Sequence, residues 1–302
     1  MDAHYTIIRS GHAARGDDTS GMATTGEART AAAKRLRSGP DPATAALDAD
    51  VLLAHVLSVG KEAVFAHPER RLSAAEDERF GELIERRTHG EPVAYLRGFK
   101  EFYGLRFAVD PRVLIPRPET EVLVDAARGR IAGRALAVVD VGTGSAAIAV
   151  AIAAHEHGVR IIATDSSRDA LVVAEANALA NGVADRVAFR HGDLLAPISQ
   201  PVDLVCANLP YLTDDSVAHW VGERASLAFE PREAVLAGRD GLSLIRRLVA
   251  DLPRVLVIGG AVFIECDPPQ VAAILDLLAS AGLNGDVRRD LTGSERVVIG
   301  ER

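Results

Sequence analysis

Cysteine is nearly absent from this chain: of 302 residues, only Cys206 and Cys266 carry a thiol. Both sit in apolar runs, which excludes a disulfide scaffold and makes the expected location cytoplasmic. No apolar stretch reaches the roughly eighteen uncharged residues of a membrane-spanning helix, so no membrane role is expected. The first twenty residues lack the apolar core of a secretory signal. A basic surplus is missing too. The formal charge of −8 disfavours nonspecific attraction to nucleic acid and leaves room only for a local basic patch. The nine histidines are scattered and nothing has zinc-ligand spacing, so no metal is expected.

The bulk composition, 48% hydrophobic and 25% charged, is that of a globular protein long enough for two domains. Residues 1–25 are rich in Gly, Ser, Thr, Asp and Ala without periodicity and read as a disordered tail, with Met22 a candidate start. Residues 26–92 are helical in pattern. Leu47, Val51 and Ala54 recur at helical spacing, Leu53, Val56 and Leu57 widen the stripe, and Asp41-Pro42 predicts the opening of that helix. Ser73 and Glu76 have capping-box spacing ahead of Phe80, Leu83 and Ile84, and Arg86 and Arg87 suit the C-terminal end of the helix dipole. A small helical bundle is expected, with no chemistry visible in it.

Residues 93–118 differ again. Tyr95, Phe99, Phe102, Tyr103 and Phe107 gather there with Gly98 and Gly104, and predict extended segments forming a hairpin linker. In "VLIPRPETEVLVDAA" the prolines at 116 and 118 forbid helix before Glu119 and hold Arg117 on a stiff backbone, either as a solvated linker charge or as a group facing a substrate.

From Leu136 onward strands and helices alternate: "LAVVDVG", "RIIATD", "RVAFRHGD" and "VDLVCAN" are separated by helical stretches. Alternation of this kind implies βαβ units and a mainly parallel sheet over 119–302, with ligands beyond the carboxyl ends of the strands. The polar residues of interest fall at such ends. The first strand closes in Asp140-Val141-Gly142-Thr143-Gly144-Ser145-Ala146, whose glycines allow a sharp turn and a close ligand. Residue 147 is Ala, so the dinucleotide fingerprint G-x-G-x-x-G is not met. D-x-G-x-G instead resembles the first motif of S-adenosylmethionine-dependent methyltransferases, where Asp140 can face the cationic methionine end. The second strand ends in Asp165, placed to accept both ribose hydroxyls, or to cap the helix starting near Ser167. The third ends at Asp193 and Leu194, suited to the edge and face of an adenine.

The fourth strand ends in Asn208-Leu209-Pro210-Tyr211. Asn and Pro are ordinary strand terminators. In a methyltransferase this tip faces the methyl group, and its task is to hold a weakly nucleophilic planar nitrogen in line with the methyl–sulfur bond. The Asn208 carboxamide oxygen can accept one N–H and a carbonyl near Pro210 another, while Tyr211 packs on the substrate. Orientation then carries most of the rate enhancement.

Together these stretches resemble the PrmC/HemK family, protein-(glutamine-N5) methyltransferases acting on class I peptide-chain release factors, over nearly all of residues 27–302. "LDADVLLAHVL", "PVAYLRGFKEFYGLRFAVDPRVLIPRPETE", "VVDVGTGS", "ATDSS", "FEP", "GRDGL" and "DLTGSERVVIG" carry the likeness. It implies a Rossmann-like class I methyltransferase fold, S-adenosylmethionine as cofactor, and a release factor as protein partner of a monomeric enzyme. Cofactor contacts are implied for Asp140, Gly142, Thr143, Gly144, Ser145, Ala146, Asp165, Asp193, Leu194 and Asn208. Asn208, Leu209, Pro210 and Tyr211 would hold the glutamine amide, with Arg117 on the docking side. Two positions depart from the family pattern: Leu209 stands at the first proline of N-P-P-Y, and Ala146 replaces the last loop glycine, where a helix start would tolerate it. Asn-Leu-Pro-Tyr also resembles the rRNA adenine-N6 dimethyltransferases. An adenine-N6 enzyme acting on RNA or DNA, and a cofactor-binding relative without activity, are therefore the alternatives.

Overall fold

The computed structural model describes residues 22–213 and 224–302. Of the expected tail, residues 1–21 lie outside the described residues, while Thr24 caps the first helix. The chain divides between Thr88 and His89 into two compact units.

The first unit is helical, with α1 (Thr25–Leu36), α2 (Ala45–Leu57), α3 (Lys61–Ala66) and α4 (Ala74–Thr88). Capping boxes open two of them. Thr24 and Glu27 satisfy each other's backbone N–H groups, and so do Ser73 and Glu76. The apolar face of α2 is rotated from the one its spacing predicts. Leu47 is 52% exposed, and Ala45, Asp48, Ala49, Asp50, Leu52 and Leu53 are turned inward. The cause is electrostatic. Arg87, buried at 7% exposure, donates from Nε to Asp48 (2.8 Å) and from Nη2 to Asp41 (2.7 Å), while Arg29 pairs with Asp50. Asp41 is therefore an ion-pair partner and not the helix cap, and α2 begins three residues beyond Pro42. Arg87 serves this buried pair as well as the helix end.

The second unit opens with a short helix, α5 (Val93–Arg97), where an extended segment was expected, and Tyr95 Oη donates to the Val113 carbonyl at 2.6 Å. The hairpin follows as β1 (Phe99–Phe102) and β2 (Leu105–Ala108). A 3-10 turn over Pro118–Thr120 leads into α6 (Glu121–Ile131). Then come β3 (Ala137–Val141), α7 (Ala147–His155), β4 (Arg160–Asp165), α8 (Arg168–Ala180), β5 (Val187–His191) and β6 (Val202–Ala207). The chain closes with α9 (Ser243–Val255), β7 (Leu256–Glu265), α10 (Val271–Ser280), β8 (Asn284–Arg289) and β9 (Glu295–Glu301).

The seven strands are ordered β5-β4-β3-β6-β7-β9-β8, and β9 runs antiparallel to both of its neighbours. Alternate side chains of each strand enter opposite layers. Val138, Ile161, Leu204 and Phe263 pack with α6, α7 and α8, whereas Val139, Ile162, Val205 and Val262 pack with α9 and α10. Both faces being apolar is why these strands read as unbroken hydrophobic runs. Each buried Leu, Ile or Val contributes about 1.5–3 kcal/mol. No helix among the described residues is long and apolar enough to cross a membrane.

Arg87→Ala should destabilise the helical unit by about 3–5 kcal/mol, because it removes the counter-charge of the buried Asp48 and the half-buried Asp41. Urea unfolding followed through the helical signal checks this. A loss below about 1 kcal/mol would mean the pair contributes no more than a surface one.

Candidate active site

The loop after β3 is built around a buried acid. Asp140 is 1% exposed, and its Oδ2 accepts from Thr143 Oγ1 (2.6 Å) and the Ala149 N–H (3.2 Å). Its Oδ1 has no partner among the described residues. Burial, with the nearby Asp165 charge adding to it, pushes this carboxyl up to about 6. The Gly142 and Thr143 N–H groups both donate to the Thr164 carbonyl at 2.9 Å, which fastens the loop to the end of β4. Gly142 and Gly144 have φ of 69° and 54°. A Cβ at 142 would lie 2.9 Å from Leu209 Cδ2, whereas one at 144 would meet nothing within 4 Å. The first glycine thus admits a neighbouring side chain, and the second borders open space.

Ala146 does not sit in a helical conformation. It precedes α7 with φ of 62°, wholly buried, where a Cβ costs about 1–2 kcal/mol. The expectation of tolerance at a helix start is corrected accordingly. Ser145 is also buried, and its carbonyl accepts from Asn177 Nδ2 at 2.9 Å. That amide also exchanges two hydrogen bonds with the backbone of Ala108, tying the hairpin to the loop.

Asp165 stands at the tip of β4. Its Oδ1 accepts from the Ser167 N–H (2.8 Å) and its Oδ2 from the Gly144 N–H (2.9 Å). The helix cap itself is Ser167, whose Oγ accepts from the Ala170 N–H. A carboxylate has room for four donors, so Asp165 keeps acceptor capacity for a diol. Asp193 forms an ion pair with Arg247 of α9, which draws its carboxylate toward solvent. Leu194 has φ of 48°, and its carbonyl accepts from Thr164 Oγ1 at 3.0 Å.

At the tip of β6, Asn208 Nδ2 donates to Thr120 Oγ1 at 3.0 Å, which turns its carboxamide oxygen away from Thr120. Leu209 is 3% exposed and packs over Gly142, so its side chain belongs to the core. Tyr211 Oη lies 3.4 Å from Glu265 Oε1, and its carbonyl accepts from Gln270 Nε2 at 2.9 Å. Burial, then the Glu265 charge, push the phenol well above its ordinary range.

Arg117 is not a solvated charge. It pairs with Glu230, which is 4% exposed and whose Oε2 also accepts from the Ile115 N–H at 3.0 Å. The pair clamps the Pro116–Pro118 strip beside Asn208.

Three cavities meet here. One of about 120 Å³ is bordered by Gly142, Gly144, Asp165, Asp193 and Leu194. A second of about 50 Å³ lies by Thr143, Ser145, Arg117 and Thr120. The third, about 390 Å³, opens past Arg117, Pro210, Tyr211 and Arg296. Asn208 lines all three. Sequence reasoning missed Thr120, Asn177, Glu230 and Glu265. Thr120 and Glu230 fall in the "RPETE" and "FEP" stretches that carry the likeness, and Glu265 is the acid ending the apolar strand "AVFIE". Among the described residues no group of His, Cys, Asp and Glu is placed to hold a metal ion.

Two family models match the chain, the PrmC N-terminal domain over residues 27–98 and a methyltransferase small domain over residues 118–226. The release factor glutamine methyltransferase of Nitratidesulfovibrio vulgaris is 37% identical over 262 residues, 85% of this chain and 88% of that one. Its counterpart in Bordetella pertussis is 40% identical, covering 85% and 95%. That of Deinococcus radiodurans is 37% identical, covering 90% and 96%. Among solved structures, the hMettl16 catalytic domain in complex with MAT2A 3'UTR hairpin 1 superposes with a TM-score of 0.55 at 15% identity, covering 82% of this chain and 90% of that one. A methyltransferase from Pyrococcus furiosus gives 0.50 at 15%, covering 72% and 95%. At such identities the likeness is one of fold.

Arg117→Ala removes the counter-charge of the buried Glu230 carboxylate and should cost about 3–5 kcal/mol. Arg117→Lys should recover only part of this, because an ammonium does not reproduce the guanidinium fork. Thermal unfolding of the three proteins decides it, and an unchanged melting temperature for Arg117→Ala would show the pair to be dispensable.

Proposed function

The chain belongs to the release factor glutamine methyltransferase family, and we propose that it transfers a methyl group from S-adenosylmethionine to the side-chain amide nitrogen of a glutamine. The glutamine is that of the Gly-Gly-Gln motif in class I peptide-chain release factors, met in the cytoplasm. The observation that carries this reading is the position of Asn208, common to all three cavities with its carboxamide oxygen turned away from Thr120.

The residues fit the cofactor. Asp140 Oδ1 is a buried acceptor without a donor, the space over Gly144 is open, and Asp165 has acceptor capacity to spare. Asp140 and the 143–145 loop would hold the methionine end, Asp165 the ribose, and Leu194 the adenine face. When bound, the cofactor supplies an electrophilic methyl group on a sulfonium.

An amide nitrogen is a poor nucleophile because its lone pair is delocalised into the carbonyl, so the site must supply alignment. The Asn208 Oδ1 accepts one N–H of the substrate amide, and a backbone carbonyl beside Pro210 accepts the other. Pro210 contributes no N–H to compete with these acceptors. Tyr211 and Pro210 wall the site against water. The substrate nitrogen would take the methyl group and give up one proton to solvent, and the alignment set by Asn208 and the Pro210 backbone can supply on the order of 7–11 kcal/mol of the barrier reduction.

Asn208→Ala should lower methyl transfer by more than roughly a hundredfold while most cofactor affinity survives, since it removes an acceptor engaged at the transition state. Leu209→Pro should remain active. Labelled-methyl transfer to purified release factor, with its Gln→Ala version and adenine-containing RNA as competing acceptors, tests the reading. Methyl appearing only on RNA would establish the adenine-N6 alternative, and equal rates for Asn208→Ala and wild type would remove Asn208 from the mechanism.

Asp140 gives a pH signature. Its folded value of about 6 lies above the usual 3.8. A cationic ammonium beside it favours the ionised form, so cofactor affinity should rise from pH 5 to pH 7 and then level off. Stability of the ligand-free protein runs oppositely. The contribution of this group is complete below about pH 4 and is lost as pH rises through about 6. Calorimetry across this range, with Asp140→Asn showing a flat profile, checks the assignment.

A further inference from the structure

Glu265 ends β7 with 1% exposure and belongs to no contact the transfer has so far required. Its Oε1 lies 3.4 Å from Tyr211 Oη, and its Oε2 has no partner of good geometry among the described residues. The Thr120 hydroxyl adjoins the same carboxylate, to which Tyr211 Oη donates. Thr120 is 3% exposed and its oxygen already accepts from Asn208 Nδ2. The sequence of contacts is therefore Glu265, Thr120, Asn208, substrate.

A carboxylate accepts hydrogen bonds and cannot donate them. Thr120 must then direct its proton at Glu265 and show a lone pair to Asn208. Asn208 in turn must offer its NH2 to Thr120, which leaves its oxygen facing outward. Without the carboxylate, Thr120 can donate to the Asn208 oxygen instead, and the carboxamide turns its NH2 toward the substrate. Two NH2 groups then face each other, and no hydrogen bond forms.

We propose that Glu265 is a positioning residue for the methyl transfer, an acceptor behind Thr120 that fixes which end of the Asn208 carboxamide meets the substrate amide. This rests on the functional reading of Asn208 given above. The groups facing Glu265 are Glu119 and Thr120 from the turn before α6, Tyr211 from beyond β6, Arg296 from β9 and the adjacent Cys266. Arg296 is itself engaged by Asp290 (3.1 Å) and Asp267 (3.7 Å), which weakens its hold. Burial foremost, with Glu119 adding, brings the carboxyl up to about 7, so as pH falls through neutrality a group that can only accept becomes one that can also donate.

The test compares wild type, Glu265→Gln and Glu265→Asp for kcat, KM and cofactor affinity from pH 6 to pH 9. For Glu265→Gln, kcat should fall about tenfold to a hundredfold, the scale of a misplaced reacting group, with KM and cofactor affinity unchanged. Wild-type kcat should rise with pH through about 7. That limb should vanish in Glu265→Gln, and Glu265→Asp should restore part of the rate. The side-chain NH2 resonance of Asn208 should titrate over the same range in wild type and stay fixed in Glu265→Gln, which is readable without turnover. A Glu265→Gln enzyme with wild-type kcat and pH profile, or a parallel loss of cofactor affinity, would overturn the proposal. A wild type that binds cofactor but leaves the release factor unmethylated would sink the functional reading instead, and the Asn208 resonance would still decide the role of Glu265.

Discussion

Everything at the site depends on the register of four neighbouring parallel strands. Val141 of β3 is level with Thr164 of β4 and with Ala207 of β6, and Ala207 is level with Ile264 of β7. One residue further on, Asp165, Gly142, Asn208 and Glu265 therefore form a single row across the sheet. Adjacent positions in that row are about 4.8 Å apart, the distance between hydrogen-bonded strands. A slip of one residue at any pairing would send the side chain to the opposite layer. The two apolar layers forbid such slips, since each would exchange a buried face for a mismatched one. The placement of these four residues is thus a by-product of core packing.

That also explains what could be read in the sequence. Parallel strands buried on both faces show as apolar runs, and the polar residue at the end of each run marks the sheet edge. Asp140, Asp165 and Asn208 stand where that logic places them, and "AVFIE" obeys the same rule for Glu265. What stayed hidden were the pairings that span long sequence separations. Glu230 reaches back 113 residues to Arg117, Asn177 reaches 69 to Ala108, and Asn208 reaches 88 to Thr120. Such contacts have no period and leave no local trace. The α2 face failed for a related reason. Its Asp48 and Asp50 are turned inward by Arg87 and Arg29, partners that helical spacing does not record.

Buried charge sorts into two kinds in this protein. Glu230 has Arg117 and the Ile115 N–H, and Asp41 and Asp48 share Arg87, so these carboxylates are compensated and serve architecture. Asp140 and Glu265 each retain one oxygen without a donor and carry raised pKa values. An acceptor left short in a dry site costs stability, about 1–3 kcal/mol for each group. Such a cost persists where a bound molecule or an oriented neighbour uses the acceptor. Both orphans lie on the row at the carboxyl edge of the sheet or directly beneath its first loop.

The two departures from the family pattern lie on either side of that row. Ala146 holds a left-handed conformation that glycine would adopt without strain, at a cost of about 1–2 kcal/mol. Its methyl group is wholly buried, and burying one such carbon returns about 0.8 kcal/mol, so part of the strain is offset locally. Leu209 replaces a ring that would stiffen the backbone covalently. Its side chain instead reaches over Gly142 into the core beneath the sheet edge, so close that any Cβ at 142 would collide with it. Packing does here what a proline ring does elsewhere. The loop beside Asn208 is held by a buried leucine, and the φ of 69° at Gly142, just past β3, favours glycine there together with the close Leu209 side chain.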